Sequence, residues 1–265
     1  MSTASRWTDL KPRLISAVGL IVLSLVAVWV GGLFWRLVIS LSVGIMVWEL
    51  VRMVDTARDR SALFLGVIAG GCSLASIYLP PAFALPLLLI PSMAGFGRME
   101  RGGVTYAVFT ALILLAGYGF MALRSDYGIV WMVWLVAVVV ITDVGGYFIG
   151  RAIGGPKIWP RVSPKKTWSG ALAGWIGAAI VGLIFAGSTH AGLGLMGVSV
   201  AISMASQIGD LAESTIKRRA GVKDSSALLP GHGGLLDRFD GMLGAALFLL
   251  IVGQIVDFPT GLATG

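Results

Sequence analysis

The chain has 265 residues, of which 57% are hydrophobic, and its mean hydropathy is +0.89. Soluble domains are about 45–50% apolar, so the composition excludes an ordinary soluble protein and predicts a multi-pass membrane protein. The net charge of +7 fits cytoplasmic loops and anionic lipid better than nucleic acid, which is not expected as a partner. The single cysteine, Cys72, excludes an internal disulfide.

Apolar runs long enough to span a bilayer predict an all-α fold, a polytopic membrane helical bundle of about nine transmembrane helices. The predicted spans are residues 14–31, 33–53, 62–79, 82–96, 104–123, 129–149, 170–187, 194–212 and 238–257. Pro91 lies within the fourth span, which is therefore expected to be tilted or broken. The chain is divided into N-terminal transmembrane hairpins (1–103), central transmembrane helices (104–140) and a C-terminal transmembrane region (141–265), whose cytoplasmic loops carry the candidate catalytic residues.

The basic residues predict that the N-terminus is cytoplasmic. In this orientation eighteen of the twenty Lys and Arg residues fall on the cytoplasmic side, and only Arg36 and Arg124 fall on the other. Nine spans then place the C-terminus outside. At the cytoplasmic end of the second span, Glu49 and Arg52 favour an interfacial charge pair.

Two polar stretches precede the richest one. In ITDVGGYFIGR, residues 141–151, Asp143 is an acid inside an apolar helix, where a charge is costly and usually functional. In SPKKTWSG, residues 163–170, Lys165 and Lys166 stand among the hydroxyls of Ser163, Thr167 and Ser169. Cations and hydroxyl donors together favour an anion site, although the two lysines also suit a simple positive-inside anchor.

The third stretch, residues 209–240, holds five of the thirteen acids and five of the twenty bases. On a helix through 210–217, Asp210, Ser214 and Lys217 share one face. Next come Lys223, Asp224 and a PGHGG turn at 230–234, whose glycines can expose N–H groups to an anion.

Asp237 and Asp240 lie three residues apart at the start of the last span, where like charges on one face call for a cation. Carboxylates without soft ligands favour Mg²⁺ over zinc.

The run STIKRRAGVKDSSALLPGHGGLLDRFD, residues 214–240, closely resembles the signature of the CDP-diacylglycerol synthases, also called phosphatidate cytidylyltransferases. The resemblance extends to GDLAES, SPKKTW and TDVGGYFIGR, and so covers residues 141–240. Two positions depart from the family pattern: Ser169 stands where Glu is usual, and Ser226 where Gly is usual. The first 140 residues match the family only in hydropathy.

The resemblance implies an integral-membrane enzyme that converts CTP and phosphatidate to CDP-diacylglycerol and pyrophosphate. It also implies a bacterial-type inner membrane, an active site that faces the cytoplasm, and a homodimer. The expected cofactor is Mg²⁺, with a second monovalent or divalent cation allowed.

The residues and the resemblance together predict three sets of site residues. The metal ligands are Asp210, Asp224, Asp237 and Asp240, with Asp143 as a weaker candidate. The catalytic residues are Asp224, Asp237, Asp240, Lys217 and Lys223. The substrate-binding residues are Ser163, Lys165, Lys166, Thr167, Ser214, Arg218, His232, Gly233, Gly234 and Arg238.

An ion-coupled secondary transporter is the main alternative, since acids within the membrane often mark ion pathways. It predicts charges near the bilayer midplane and two repeated halves, whereas this chain gathers its charges on one side and has no internal repeat. A CDP-alcohol phosphotransferase is a second enzymatic alternative, but Asp240-Gly241 is followed by Met-Leu-Gly-Ala, which does not fit that family's acidic signature.

Overall fold

A computed structural model describes residues 3–55, 59–189 and 191–253. This part of the chain forms nine α-helices and one small β-hairpin. The helices are α1 (Thr3–Val30), α2 (Gly32–Val54), α3 (Asp59–Ser76), α4 (Pro81–Phe96), α5 (Gly103–Asp126), α6 (Ile129–Ile153), α7 (Trp168–Thr189), α8 (Gly194–Arg219) and α9 (Leu236–Val252). The strands are β1 (Lys157–Trp159) and β2 (Ser163–Thr167), which pair antiparallel.

The protein is an all-α membrane protein. Among the described residues, six stretches of helix are by length and composition long and apolar enough to cross a bilayer: Arg13–Val30, Gly32–Val54, Gly103–Asp126, Ile129–Ile153, Trp168–Thr189 and Gly194–Arg219. Two shorter apolar stretches, Arg60–Ser76 and Pro81–Phe96, lie in α3 and α4. The count of nine spans, the cytoplasmic N-terminus and the external C-terminus stay predictions.

Each predicted span coincides with one of these helices, because apolar runs bounded by Gly, Pro and charged residues leave little choice of position. The end of the ninth predicted span, residues 254–257, lies outside the described residues. The fourth span is not broken, since α4 continues through Pro86 and Pro91. The β-hairpin was not predicted; it lies within a polar segment that the sequence indicates only as a cytoplasmic loop.

The chain forms two compact units, and the cuts at residues 103 and 140 stay predictions. The first unit comprises Met1–Ser125 and Arg219–Phe239, and the second comprises Asp126–Arg218 and Asp240–Gly265. In the first unit α2 packs closely on α3 at a pair of glycines. A Cβ added to Gly66 would lie 2.7 Å from the carbonyl oxygen of Gly44, so the two backbones touch, as small residues permit between membrane helices.

In the second unit α6 packs on α7, and α8 packs on the start of α9. Both contacts depend on glycine. A Cβ on Gly170 would lie 2.5 Å from the carbonyl oxygen of Gly146, and one on Gly209 would lie 2.5 Å from that of Asp240. The second contact places two candidate acids, Asp210 and Asp240, on backbones that lie side by side.

We expect Gly209→Ala to destabilise the protein, because the new methyl group has no room against the backbone of α9. Overpacking of this kind costs about 1–3 kcal/mol. Gly197→Ala is the matched control on the same helix, since a Cβ there meets nothing within 4 Å and replacement of a helical glycine by alanine gains about 0.5–1 kcal/mol. Thermal unfolding in detergent measures both. Equal unfolding temperatures for the two variants would contradict the close packing of α8 on α9.

Candidate active site

The candidate residues fall in the two units, and each group is described by itself. In the first unit the segment 220–235 forms a tight loop before α9. The Leu229 amide donates to the Gly233 carbonyl at 2.8 Å, and the His232 amide donates to the Leu229 carbonyl at 2.9 Å. Gly231 and Gly233 have φ values of 74° and 80°, a backbone conformation that favours glycine. The predicted turn at 230–234 is therefore present.

Asp237 fastens this loop to the start of α9. Its Oδ2 atom accepts hydrogen bonds from the Ser225 amide at 2.8 Å, the Ser225 hydroxyl at 2.9 Å and the Gly234 amide at 2.8 Å. A carboxylate in the first turn of a helix is also favoured by the helix dipole. The sequence suggests a metal ligand here, and the structure adds that one carboxylate oxygen already organises the loop.

The loop walls a pocket of about 420 Å³. Three cationic side chains line it, and so do one acid, one imidazole and two glycines: Arg13, Lys223, Arg238, Asp224, His232, Gly231 and Gly233. Lys223, Asp224 and Arg238 are exposed. The excess of positive charge beside a glycine turn suits a ligand with several phosphate groups.

Two contacts fix the imidazole side of the pocket. The Ser16 hydroxyl lies 2.8 Å from Nδ1 of His232, and Nε of Arg238 donates to the His232 carbonyl at 3.0 Å. Ser16 also donates to the Pro230 carbonyl at 3.2 Å. Helix α1 therefore supplies two residues that contact this loop or line its pocket, Arg13 and Ser16.

Glu49 of α2 lies behind the same loop and is fully buried, with 0% exposure. Its Oε1 accepts from the Ser226 hydroxyl at 2.6 Å and the Leu235 amide at 2.9 Å. Its Oε2 accepts from the Leu236 amide at 2.7 Å and the Ser225 hydroxyl at 3.4 Å. Glu49 thus holds the loop, and the Arg52 guanidinium lies 4.9 Å from the centre of the Trp48 ring; the interfacial charge pair of Glu49 and Arg52 stays a prediction.

Gly234 is a packing residue in this arrangement. It is buried, and the space that a Cβ would take is filled by the side chains of Ser225 and Glu49. Ser226 stands where the family usually has Gly, and its side chain also contacts Glu49. Its hydroxyl donates a hydrogen bond to that carboxylate.

In the second unit three carboxylates act on one another electrostatically. They are Asp143 of α6, Asp210 of α8 and Asp240 of α9, and the positive charges of Lys166 and Lys217 act on the same cluster. Nζ of Lys166 lies 2.5 Å from Oδ2 of Asp210. Three acids and two lysines thus form a charged cluster in the second unit.

Asp210 and Ser214 share one face of α8, as their spacing predicts, and the Ser214 hydroxyl donates to Oδ1 of Asp210 at 3.1 Å. Lys217 forms an ion pair with Glu213 one turn earlier, and both residues are buried. Arg218 follows at the exposed end of the helix. The phosphate-binding roles of Lys217 and Arg218 stay predictions.

The SPKKT segment forms β2, so its side chains alternate between the two faces of the hairpin. Lys165 is exposed and Ser163 is partly buried. Thr167 is buried, and its hydroxyl accepts from the Gly170 amide at 3.2 Å, which is the geometry of an N-cap for α7. Ser169 contacts the Thr167 hydroxyl at 3.0 Å and donates to the Gly154 carbonyl. Thr167 and Ser169 therefore have structural partners.

Neither group contains, within the described part of the chain, three His, Cys, Asp or Glu side chains close enough to hold a metal ion between them. The cluster of Asp143, Asp210 and Asp240 nonetheless offers only hard oxygen ligands, which suit Mg²⁺. This ion keeps several of its waters and takes one or two protein carboxylates, so a looser cluster fits it.

Sequence reasoning missed Arg13, Ser16 and Glu49. Arg13 carries no signal beyond its charge at the start of the first span, and Ser16 carries none. Glu49 has a signal, since an acid next to an apolar span is unusual, but its partners lie 176 or more residues away along the chain.

The fold and the two polar groups define a multi-pass membrane protein with a cationic, phosphate-sized pocket and a carboxylate cluster. The sequence model described as the Cytidylyltransferase family matches residues 11–256, and the chain belongs to this family.

Proteins named phosphatidate cytidylyltransferase are similar to it. The one from Brucella suis is 38% identical over 95% of this chain and 96% of its own length. The one from Bacillus subtilis is 30% identical over 91% and 96%, and the one from Staphylococcus haemolyticus is 34% identical over 74% and 78%.

Proposed function

We propose that this protein is an integral-membrane nucleotidyltransferase that converts CTP and phosphatidate to CDP-diacylglycerol and pyrophosphate. The observation that carries the proposal is the pocket in the first unit, where Arg13, Lys223 and Arg238 meet around a glycine turn. Its volume and charge suit a triphosphate or pyrophosphate group. Membership of the cytidylyltransferase family and the names of the relatives supply the substrates.

The reaction joins two polyanions. An oxygen of the phosphatidate phosphate attacks the α-phosphorus of CTP, the bond from that phosphorus to the β-phosphate oxygen breaks, and pyrophosphate leaves. The nucleophile is already anionic near neutral pH, so little general-base help is needed. The protein must instead hold the reactants together and stabilise charge on the leaving group.

In this proposal the pocket cations Lys223, Arg238 and Arg13 hold the phosphates, and the amides of the glycine turn add donors. The His232 ring, held by Ser16, shapes the same wall. Ser163, Lys165, Lys166, Ser214 and Arg218 are proposed phosphate contacts of the second unit.

We further propose Mg²⁺ as the cofactor, held by one or two carboxylates of the Asp143, Asp210 and Asp240 cluster, with water filling its other coordination positions. Asp224 and Asp237 are the candidates in the first unit. When bound, the ion supplies positive charge to the phosphates. A second cation, monovalent or divalent, and a homodimer belong to the same proposal.

The proposed location is a bacterial-type inner membrane with the active site facing the cytoplasm. Diacyl tails would then stay in lipid while CTP arrives from water. The polar loops that carry the candidate residues are rich in Lys and Arg. The positive-inside rule therefore supports a cytoplasmic side for these loops.

Incorporation of labelled CTP into lipid tests the function. Purified protein in detergent receives CTP with or without phosphatidate, Mg²⁺ and EDTA. We expect labelled lipid and released pyrophosphate only when phosphatidate and Mg²⁺ are both present. If lipid is labelled under none of these conditions, the proposed enzymatic function is refuted. In that case ion-driven solute uptake into vesicles tests the transporter alternative.

A further inference from the structure

A buried acid of α2 holds the pocket loop from behind. Glu49 is fully buried, and a carboxylate in such a place is costly unless hydrogen bonds compensate it. Four donors do so here, and all four belong to the segment 225–236. The carboxylate therefore fixes this loop rather than its own helix.

Two of the donors are the amides of Leu235 and Leu236, at 2.9 and 2.7 Å. Since α9 begins at Leu236, Glu49 accepts from its first N–H group, which has no partner within the helix, and from the amide of the residue just before it. The negative charge is also favoured at the positive end of the helix dipole. A side chain from a distant helix thus caps α9.

The other two donors, the hydroxyls of Ser225 and Ser226, connect this cap to the pocket. Ser226 lines the pocket, and the single hydroxyl proton of Ser225 is shared between Glu49, at 3.4 Å, and Asp237, at 2.9 Å. Glu49 and Asp237 hold Ser225 between them, so the loop that carries Lys223, Asp224 and His232 is fastened at both ends.

We propose that Glu49 is a positioning residue: it keeps the 220–235 loop in the conformation that binds the CTP phosphates, and it does not itself touch the substrate. This inference rests on the proposed function, in that the pocket is taken to bind CTP. The opposing reading is that Glu49 only stabilises the fold. If Glu49 positions the loop, loss of its charge should loosen the loop and leave the rest of the protein unchanged. If it only stabilises the fold, the whole protein should be affected.

Glu49→Gln is the decisive variant because it keeps the size of the side chain. Each carboxylate oxygen accepts from one backbone amide, of Leu235 or Leu236, and from one serine hydroxyl, so either orientation of the Gln amide turns an NH₂ group toward donors. The backbone amide of either Leu235 or Leu236 then loses its acceptor. Asp55→Asn is the matched control at the end of the same helix: Asp55 is also buried and accepts from the Glu100 amide at 3.1 Å, but it does not line the pocket.

The loop is measured first, by hydrogen exchange of the purified full-length variants in detergent. We expect Glu49→Gln to speed exchange in peptides that cover 225–236 by about tenfold or more, while peptides from α6 and α7 keep their rates. Asp55→Asn should leave the 225–236 peptides as in the wild type. Unchanged exchange in Glu49→Gln, or faster exchange throughout the protein, would overturn the proposal.

Kinetics then separate positioning from a general loss of fold. If the loop is ordered in only a fraction of molecules, the apparent affinity for CTP falls by that fraction. We expect the KM for CTP to rise about 10- to 30-fold, the effect of one lost hydrogen bond to a buried charge, and saturating CTP to restore most of kcat. A lower kcat with an unchanged KM would overturn the proposal.

A wild type without CTP turnover would refute the proposed function, whereas the exchange result would still decide whether Glu49 holds the loop.

Discussion

Asp240→Asn is expected to reduce CTP turnover by about 10²–10³-fold, the effect of losing one charge-stabilising group at a reacting centre. Asp240 shares a cluster with Asp143 and Asp210, which we propose as the Mg²⁺ site. The Asn side chain fills the same space but removes a negative charge and weakens cation binding. Turnover of labelled CTP at several Mg²⁺ concentrations measures the loss.

The same variant should not be less stable. The three carboxylates repel one another electrostatically, so removal of one charge relieves the cluster when no cation is bound. We expect the unfolding temperature in EDTA to stay level or rise, and Mg²⁺ to raise it in the wild type more than in Asp240→Asn. Asp126→Asn, at the exposed end of α5, is the control and should match the wild type. Near-normal turnover in folded Asp240→Asn would refute the metal site.

Lys223→Ala is expected to lower kcat/KM for CTP by about 10²-fold, the upper end of the effect of a hydrogen bond to a charged group. Lys223 is exposed and lines the pocket with Arg13 and Arg238. Its ammonium group can meet a phosphate directly, and alanine cannot replace that charge. Steady-state kinetics with varied CTP measure the change.

Lys223→Arg keeps the positive charge and should retain part of the activity, because the guanidinium differs in shape from the ammonium group. Arg101→Ala removes an exposed cation that does not line the pocket and serves as the control. The assignment of the pocket to CTP fails if Lys223→Ala keeps the wild-type KM and kcat, or if Arg101→Ala loses as much activity.

Local sequence was sufficient for the helices and for much of the motif geometry. The spans appear as helices because a run of about 20 apolar residues has no other stable form in lipid. Helical spacing likewise predicted that Asp210 and Ser214 share a face, and their hydrogen bond agrees with this. The PGHGG turn could be predicted because glycine adopts positive φ values that other residues avoid. Gly231 and Gly233 have such values in the structure.

Other features depended on partners that are distant in sequence. The Thr167 hydroxyl caps α7, and that cap depends on where β2 ends, while its role as an anion ligand stays a prediction. Asp237 looks like a metal ligand, yet one of its oxygens accepts three hydrogen bonds from the loop. Neither arrangement follows from spacing alone.

By itself, then, the sequence determined the membrane class, the positions of the helices and the residue types of the site, because hydropathy and motif chemistry are local properties. Only the tertiary structure decided that Arg13 and Ser16 reach the loop, that Glu49 caps α9, and that Asp143 interacts with Asp210 and Asp240. The physical reason is that a buried charge must find its donors wherever the chain brings them, and sequence distance does not limit where that is.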